Sequence, residues 1–217
     1  MASPEVDPPT GVPKTLHSWW SRVDPDELDR ASHESGRLEV LRHLGALVRS
    51  SPSVLELGCG SGLLAQEANR RDIVGVDMCP AMAQKASTRM DTVVTENMLE
   101  FYPADSPDAV VLANVLEPYS AEVRRLLLAQ IHDYLLPGGQ IVLAVTVGET
   151  GLGTSSESIL DLVFPSAPPM QADEIEEDLL LSGFDVAVPE LLCIRRERED
   201  PSRVQRRSVA ILVGRKV

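Results

Sequence analysis

Apolar residues follow two alternating patterns along this chain, one repeating near the helical period and one made of short unbroken runs. Residues 24–48 place Leu38, Leu41, Leu44 and Val48 at helical spacing and predict a helix with one face to bury. Asp24 followed by Pro25 supplies its cap and first turn. After a polar break at residues 50–53, short apolar runs predict strands at 54–57, 73–76, 92–95, 109–113 and 140–147. Between them lie predicted helices at 63–70, 80–90 and 121–135, the last with Val123, Leu126, Leu127 and Ile131 on one face and Pro137-Gly138-Gly139 as its stop. Continuous apolar strands separated by amphipathic helices indicate a parallel sheet covered on both faces, a doubly wound α/β fold. Beyond residue 171 the alternation changes. A helix at 172–182 stops at Gly183, and strands at 184–194 and 208–213 flank a charged stretch, which predicts an antiparallel hairpin completing a mostly parallel sheet.

Composition narrows the role. The 217 residues are 43% hydrophobic and 24% charged, which suits one folded domain. Acidic residues outnumber basic ones 33 to 20, for a net charge of −13, and aromatics are 4%. A nucleic-acid binder needs a basic face and stacking platforms, so that class of partner is not expected. No apolar run is long enough for a membrane span. Pro4, Pro8, Pro9 and Pro13 mark residues 1–14 as a disordered leader, and 15–217 as a single domain with a helical cap at 15–50. Cys59, Cys79 and Cys193 have no paired spacing, which suits a reducing, cytoplasmic compartment. His17, His33, His43 and His132 form no ligand-spaced cluster, so no metal is expected.

The chemistry concentrates after the first strand, in VLELGCGSGLLA at residues 54–65. Glycines between a strand and a helix let a ligand approach bare backbone beside a polar helix N-terminus. Gly58, Gly60 and Gly62 follow GxGxG, and Leu63 stands where dinucleotide folds prefer a third small residue, in the expected approach of a pyrophosphate. Glu56 precedes the turn, placed to orient it or to meet a ligand's positive group, and Asp77 ends the next strand, where a carboxylate can accept ribose hydroxyl protons.

In order, VLELGCGSG, IVGVDMCPAMAQKA, TENMLEF, DAVVLANVLEP and LLPGGQIVLAV resemble the motif series of class I S-adenosylmethionine-dependent methyltransferases, over roughly residues 35–147. The resemblance implies a Rossmann-like methyltransferase sheet and S-adenosyl-L-methionine as cofactor. It implies that Gly58 and Gly60 lie against the methionine part, with Cys59 between them in the cofactor-binding turn, that Asp77 holds the ribose hydroxyls and that Met78 packs on the adenine. Asn97 stands where the family often has Asp on the adenine amino group, Met98 beside it offers a backbone amide, and Asn114 lies where the reactive methyl points. A narrower likeness to quinone-biosynthesis O-methyltransferases rests on SWWSRVDPDELD, SGRLEVLRHLG and VLEP, and implies that Arg37 binds the cofactor carboxylate. Glu117-Pro118 departs from the Glu-His of that group.

Each residue also has a plainer role open to it. Met78 and Met98 suit core filling, Arg37 a solvated surface, and Cys59 a small space-filler rather than a nucleophile. His132 is expected at the surface of its helix, and the arginines of residues 195–207, interleaved with acids, as a solvated hairpin tip. The acceptor pocket is expected from residues 17–30, with Trp19 and Trp20, and from a lid at 148–171. The expected reaction is methyl transfer to an O or N nucleophile of a small molecule, with His17, Glu117 and Tyr119 as unranked base candidates. Nicotinamide-dependent redox chemistry and a cofactor-binding scaffold without transfer activity are the alternatives. The pattern assigns no oligomeric state.

Overall fold

The computed structural model describes residues 20–147, 170–196 and 205–217. Its elements are α1 (Pro25–Glu34), α2 (Arg37–Leu47), β1 (Val54–Leu57), α3 (Leu63–Ala68), β2 (Val74–Val76), α4 (Pro80–Ala86), β3 (Thr92–Val94), β4 (Ala109–Ala113), α5 (Ala121–Tyr134), β5 (Gln140–Val147), α6 (Ala172–Leu181), β6 (Phe184–Val186), β7 (Glu190–Arg196) and β8 (Gln205–Lys216). The strands form an eight-stranded sheet in the order β3-β2-β1-β4-β5-β8-β6, with β7 also paired to β8. The first five strands are parallel, and β8 returns antiparallel to β5 over Gln140↔Arg215 to Val147↔Ser208. This is the doubly wound Rossmann-like sheet with a reversed end that the pattern predicted.

Alternate residues of each strand serve opposite faces. Leu55, Leu57, Val110, Leu112 and Leu143 pack with Leu127, Leu128 and Ile131 of α5 and Leu179 of α6. Val54, Ala109, Val111 and Val142 pack with Leu38, Leu41 and Leu44 of α2 and Leu64 of α3. Both faces are dry, which is why the strands read as unbroken apolar runs.

Four expectations change. The single helix at 24–48 is two, because Gly36 takes a left-handed φ of 77° between α1 and α2. Asp24 caps the first through Oδ1, which accepts from the Asp26 N–H at 2.9 Å. Leu126 is 66% exposed, so the buried face of α5 is carried by Leu127, Leu128 and Ile131. His132 is half-buried and meets Phe184 edge-on at 5.1 Å, rather than standing free on the surface.

The strand expected at 184–194 is also broken. Val186 opposes Gly214 and Glu190 opposes Ile211, so three residues face two across the ladder. Pro189 lies in this bulge, where its missing N–H costs no ladder bond. The leader, residues 148–169 of the lid expected at 148–171, and most of the charged hairpin tip lie outside the described residues. Among the described residues, no helix is long and apolar enough to cross a membrane, and no group of His, Cys, Asp and Glu is arranged to hold a metal ion.

Candidate active site

The C-terminal ends of β1, β2, β3 and β4 open onto one pocket, with α1 and the start of α2 along its side. It encloses about 730 Å³, counting the part open to solvent, and is walled by Gly58, Gly60, Asp77, Met78, Asn97, Met98, Asn114, Tyr119 and Arg37 among others. Eight of the ten expected cofactor residues therefore share one wall; Glu56 and Cys59 lie behind it.

The glycine turn is held from beneath. The N–H groups of Gly58 and Cys59 both donate to the Val76 carbonyl, at 2.8 and 3.0 Å. Gly58 has φ 69°, and a Cβ there would lie 2.4 Å from Val115 Cγ1, so packing excludes any side chain. Gly60 differs. Its φ is 54°, but a Cβ would meet only Leu28 Cδ2 at 3.9 Å, so the space before it is open to a ligand. The Cys59 side chain turns away into the core and fills the space left by Gly75, whose Cβ would lie 2.8 Å from its sulfur. Burial pushes that thiol far above the ordinary cysteine range, which leaves it inert. Cys59 is thus the space-filler and not a side chain that meets the cofactor. Leu63 is likewise buried in the core beneath the turn and does not stand in the approach of a pyrophosphate.

Asp77 does two structural jobs at once. Its Oδ2 accepts from the Gly60 N–H at 2.8 Å and its Oδ1 from the Cys79 N–H at 2.9 Å, which fixes the turn against the start of α4. Burial raises its pKa and these two donors oppose the rise. Each oxygen keeps a lone pair for a hydroxyl donor. Asn97 is 4% exposed and its Oδ1 accepts from the Leu99 N–H at 3.2 Å, so the amide shapes its own turn as well as the pocket wall.

Arg37 enters the pocket from the first turn of α2. Its guanidinium donates to Ser32 Oγ and to the Ala113 carbonyl, both at a long 3.4 Å, and its buried Nε has no partner. Burial lowers its pKa, opposed by the charges of Glu56, Glu117 and Asp29. Glu56 faces the same side of the sheet as Val54, is 3% exposed and leaves Oε2 without a partner. Burial pushes its pKa up to about 8 against the pull of Arg37, with Asp77 adding to the rise. These are two half-satisfied groups beside one pocket, an arrangement that invites a ligand carrying both charge types.

The turn after β4 forms the other end. Asn114 sits at φ 57° and its Nδ2 donates to Glu117 Oε1 and Thr146 Oγ1, each at 3.0 Å. Glu117 Oε1 also accepts from the Thr146 N–H at 3.0 Å, which ties the ends of β4 and β5 together. Burial raises the Glu117 pKa. Glu117 does not line the pocket, whereas Tyr119 does, with its hydroxyl pushed up to about 12, chiefly by burial. Tyr119 is therefore a proton donor at neutral pH and a poor base. His17 and Trp19 lie outside the described residues, and Trp20 lines this pocket.

The sequence pattern did not indicate how α1 is attached. Ser61 Oγ donates to Asp29, whose Oδ2 accepts from Arg89 at 2.6 Å, while Arg89 also donates to the Ser61 carbonyl at 2.8 Å. Leu28 of the same helix closes the pocket beside Gly60. A helical spacing of Leu28 and Asp29 carries no sign of which turn they will meet.

Residues 27–187 match the family described as "Methyltransferase domain". Ribosomal protein L11 methyltransferase from Burkholderia ambifaria is 32% identical over an aligned length of 143, in a match that covers 58% of this chain and 46% of that protein. The chain thus spans about half the length of the curated relatives it matches. Among solved structures, a SAM-dependent methyltransferase from Thermotoga maritima superposes with a TM-score of 0.71 at 19% identity, covering 94% of this chain and 100% of that one. Magnesium protoporphyrin IX methyltransferase from Synechocystis, with S-adenosylhomocysteine bound, gives 0.69 at 15% identity, covering 94% and 100%. The sheet order, the glycine turn, the acidic end of β2 and the extent of the family match agree: the chain belongs to the methyltransferase-domain family and has the class I S-adenosylmethionine-dependent methyltransferase fold.

Proposed function

We propose that the protein transfers a methyl group from S-adenosylmethionine to an O or N nucleophile of a small molecule. The observation that carries this reading is the unpartnered, buried Arg37 Nε, placed in the same pocket as the open face of Gly60 and the Asp77 carboxylate. Arg37 would hold the cofactor's carboxylate, Glu56 would balance its ammonium from behind the turn, and Asp77 would accept its ribose hydroxyls. Met78 and Met98 would pack on the adenine, with Asn97 at its edge. When bound, the cofactor supplies a sulfonium-activated methyl group. The protein aligns donor and acceptor across Asn114 and Tyr119 and keeps water out with Trp20 and Leu28. The curated relatives are named for a ribosomal protein, but the match spans under half of their length and their substrate is not assigned to this chain.

Calorimetry and thermal unfolding test the reading. S-adenosylhomocysteine is expected to bind at micromolar levels, roughly −8 kcal/mol, and to raise the unfolding temperature by mass action. NAD and NADP are expected to give no comparable shift. Stabilisation by the nicotinamide cofactors alone overturns the assignment.

A further inference from the structure

Helix α1 walls the pocket yet contributes little to the core. Of its ten residues only Leu28, Asp29 and Ser32 are buried. Leu28 packs with Cys79 and Met82, and with Trp20 and Val23, in a small cluster apart from the two that cover the sheet. A helix of ten residues does not stand by itself in water, so its contacts with the rest of the chain decide whether α1 stays in place.

Those contacts are graded. Asp26 meets Lys85 at 2.6 Å on the exposed surface, and Ser32 Oγ accepts from Arg37 at a long 3.4 Å. Asp29 is a different case, a carboxylate only 8% exposed. Its Oδ1 accepts from Ser61 Oγ and its Oδ2 from Arg89 at 2.6 Å. Ser61 stands between Gly60 and Gly62 inside the glycine turn, and Arg89 closes the ring by donating to the Ser61 carbonyl at 2.8 Å. One buried charge therefore joins α1, the glycine turn and the segment just past α4.

The joint also fixes a register. Asp29 follows Leu28 as Ser61 follows Gly60, so the carboxylate that grips Ser61 sets Leu28 against the open face of Gly60. Leu28 Cδ2 lies 3.9 Å from where a Gly60 Cβ would be. Both residues line the pocket, and Trp20, just ahead of α1, lines it with them. Asp29 lies behind that wall and acts through its neighbour.

We propose that Asp29 is a positioning residue for the bound ligand: by locking α1 onto the glycine turn it holds Leu28 and Trp20 as a cover and sets how long the ligand stays. The inference rests on the methyltransferase reading and adds to it the residue that secures the cover. Asn at this position keeps the size of the side chain and removes the charge that Arg89 requires. A loosened α1 releases the ligand sooner, and it puts no obstacle in the way of entry.

The test uses the full chain and S-adenosylhomocysteine. Stopped-flow displacement is expected to show dissociation about tenfold faster from Asp29→Asn than from the unaltered protein, the effect of one charge-assisted hydrogen bond, with association not slowed. Hydrogen exchange supplies a readout that a general loss of structure would not give. In the bound variant the amides of residues 25–34 are expected to exchange about tenfold faster, while those of β4 and β5 keep their protection. Arg89→Ala is expected to speed dissociation equally, and the double variant no further, because both changes break one joint. Asp26→Asn, which loses the exposed pair between α1 and α4, is expected to leave dissociation within about twofold. Dissociation from Asp29→Asn within about twofold of the unaltered protein, additive effects in the double variant, or an equal loss of protection across β4 and β5 overturns the proposal. Absence of S-adenosylhomocysteine binding by the unaltered chain removes the methyltransferase reading, and the proposal with it.

Discussion

Arg37 and Glu56 act on each other's charge and make opposite demands. The arginine is tied by two long hydrogen bonds and is available to a ligand, so Arg37→Ala is expected to weaken S-adenosylmethionine and S-adenosylhomocysteine alike by about 1.5–3 kcal/mol. Adenosine, which lacks the carboxylate, serves as the control and is expected to keep its affinity; an equal loss for all three ligands would mean that the residue acts on the fold. Glu56 is the opposite case, a carboxyl whose folded pKa of about 8 lies above its ordinary 4.5. The folded state then holds more protons than the unfolded one between these values, so this group costs stability as pH rises from 4.5 through 8. Glu56→Gln is expected to remove that decline and to stabilise the ligand-free protein at pH 8 by on the order of 1 kcal/mol. Denaturant titrations at pH 5 and pH 8 check it: the variant's gain must be larger at the higher pH. The residue types of this site were legible in the chain because the glycine turn and its distant acid sit at fixed offsets from apolar strands. The orientation of Asn114, the withdrawal of Cys59 and the absence of Glu117 from the wall were not, since each depends on a partner far along the chain.

Helices on opposite faces of the sheet are secured in different ways. On one face α2 and α3 meet through Leu38, Leu41, Leu44 and Leu64, a plain apolar contact that periodicity reveals. On the other, Arg124 of α5 donates to Asp178 Oδ2 of α6 at 2.7 Å and to the Tyr119 carbonyl at 3.1 Å, with Arg125 on Asp178 Oδ1 at 3.0 Å. Asp178 is 3% exposed, so removing its charge strands a buried guanidinium. Asp178→Asn is expected to cost about 3–5 kcal/mol in urea unfolding. Asp26→Asn, which loses the exposed contact to Lys85, is expected to leave the midpoint unchanged. A similar loss in both would mean that burial does not set the difference. The break at Gly36 and the bulge at Pro189 escaped the pattern because a single glycine or proline does not by itself end an element, and the backbone conformation that makes each a joint is set by what packs around it.

The molecule as a whole carries a net charge of −13, so its surface repels itself on average. Self-repulsion of that kind is screened by salt, so the unfolding temperature is expected to rise as sodium chloride is increased from about 0.02 to 0.3 M. Insensitivity over that range would mean that the acids are locally neutralised by the pairs already described. The alternation of strands and helices fixed the class of architecture at this scale. The hairpin of β8 with the strands before it was legible, but its register along β5 was not, because pairing between residues far apart leaves no local trace.

The pairing of β8 with β5 bears on how the chain acquires its structure in time. Every described residue of the pocket wall falls between Trp20 and Tyr119, while the strand that covers the outer edge of β5 spans Gln205–Lys216. A ribosome delivering the chain from its N-terminus therefore releases every described residue of the pocket wall well before the edge of β5 can be sealed. During that interval Ile141–Val145 would present an unpaired, apolar ladder to its surroundings. Closing it requires a loop of about sixty residues, a slow contact in any folding scheme. Early ligand capture and late edge closure make the nascent protein most vulnerable to association after its site has already formed.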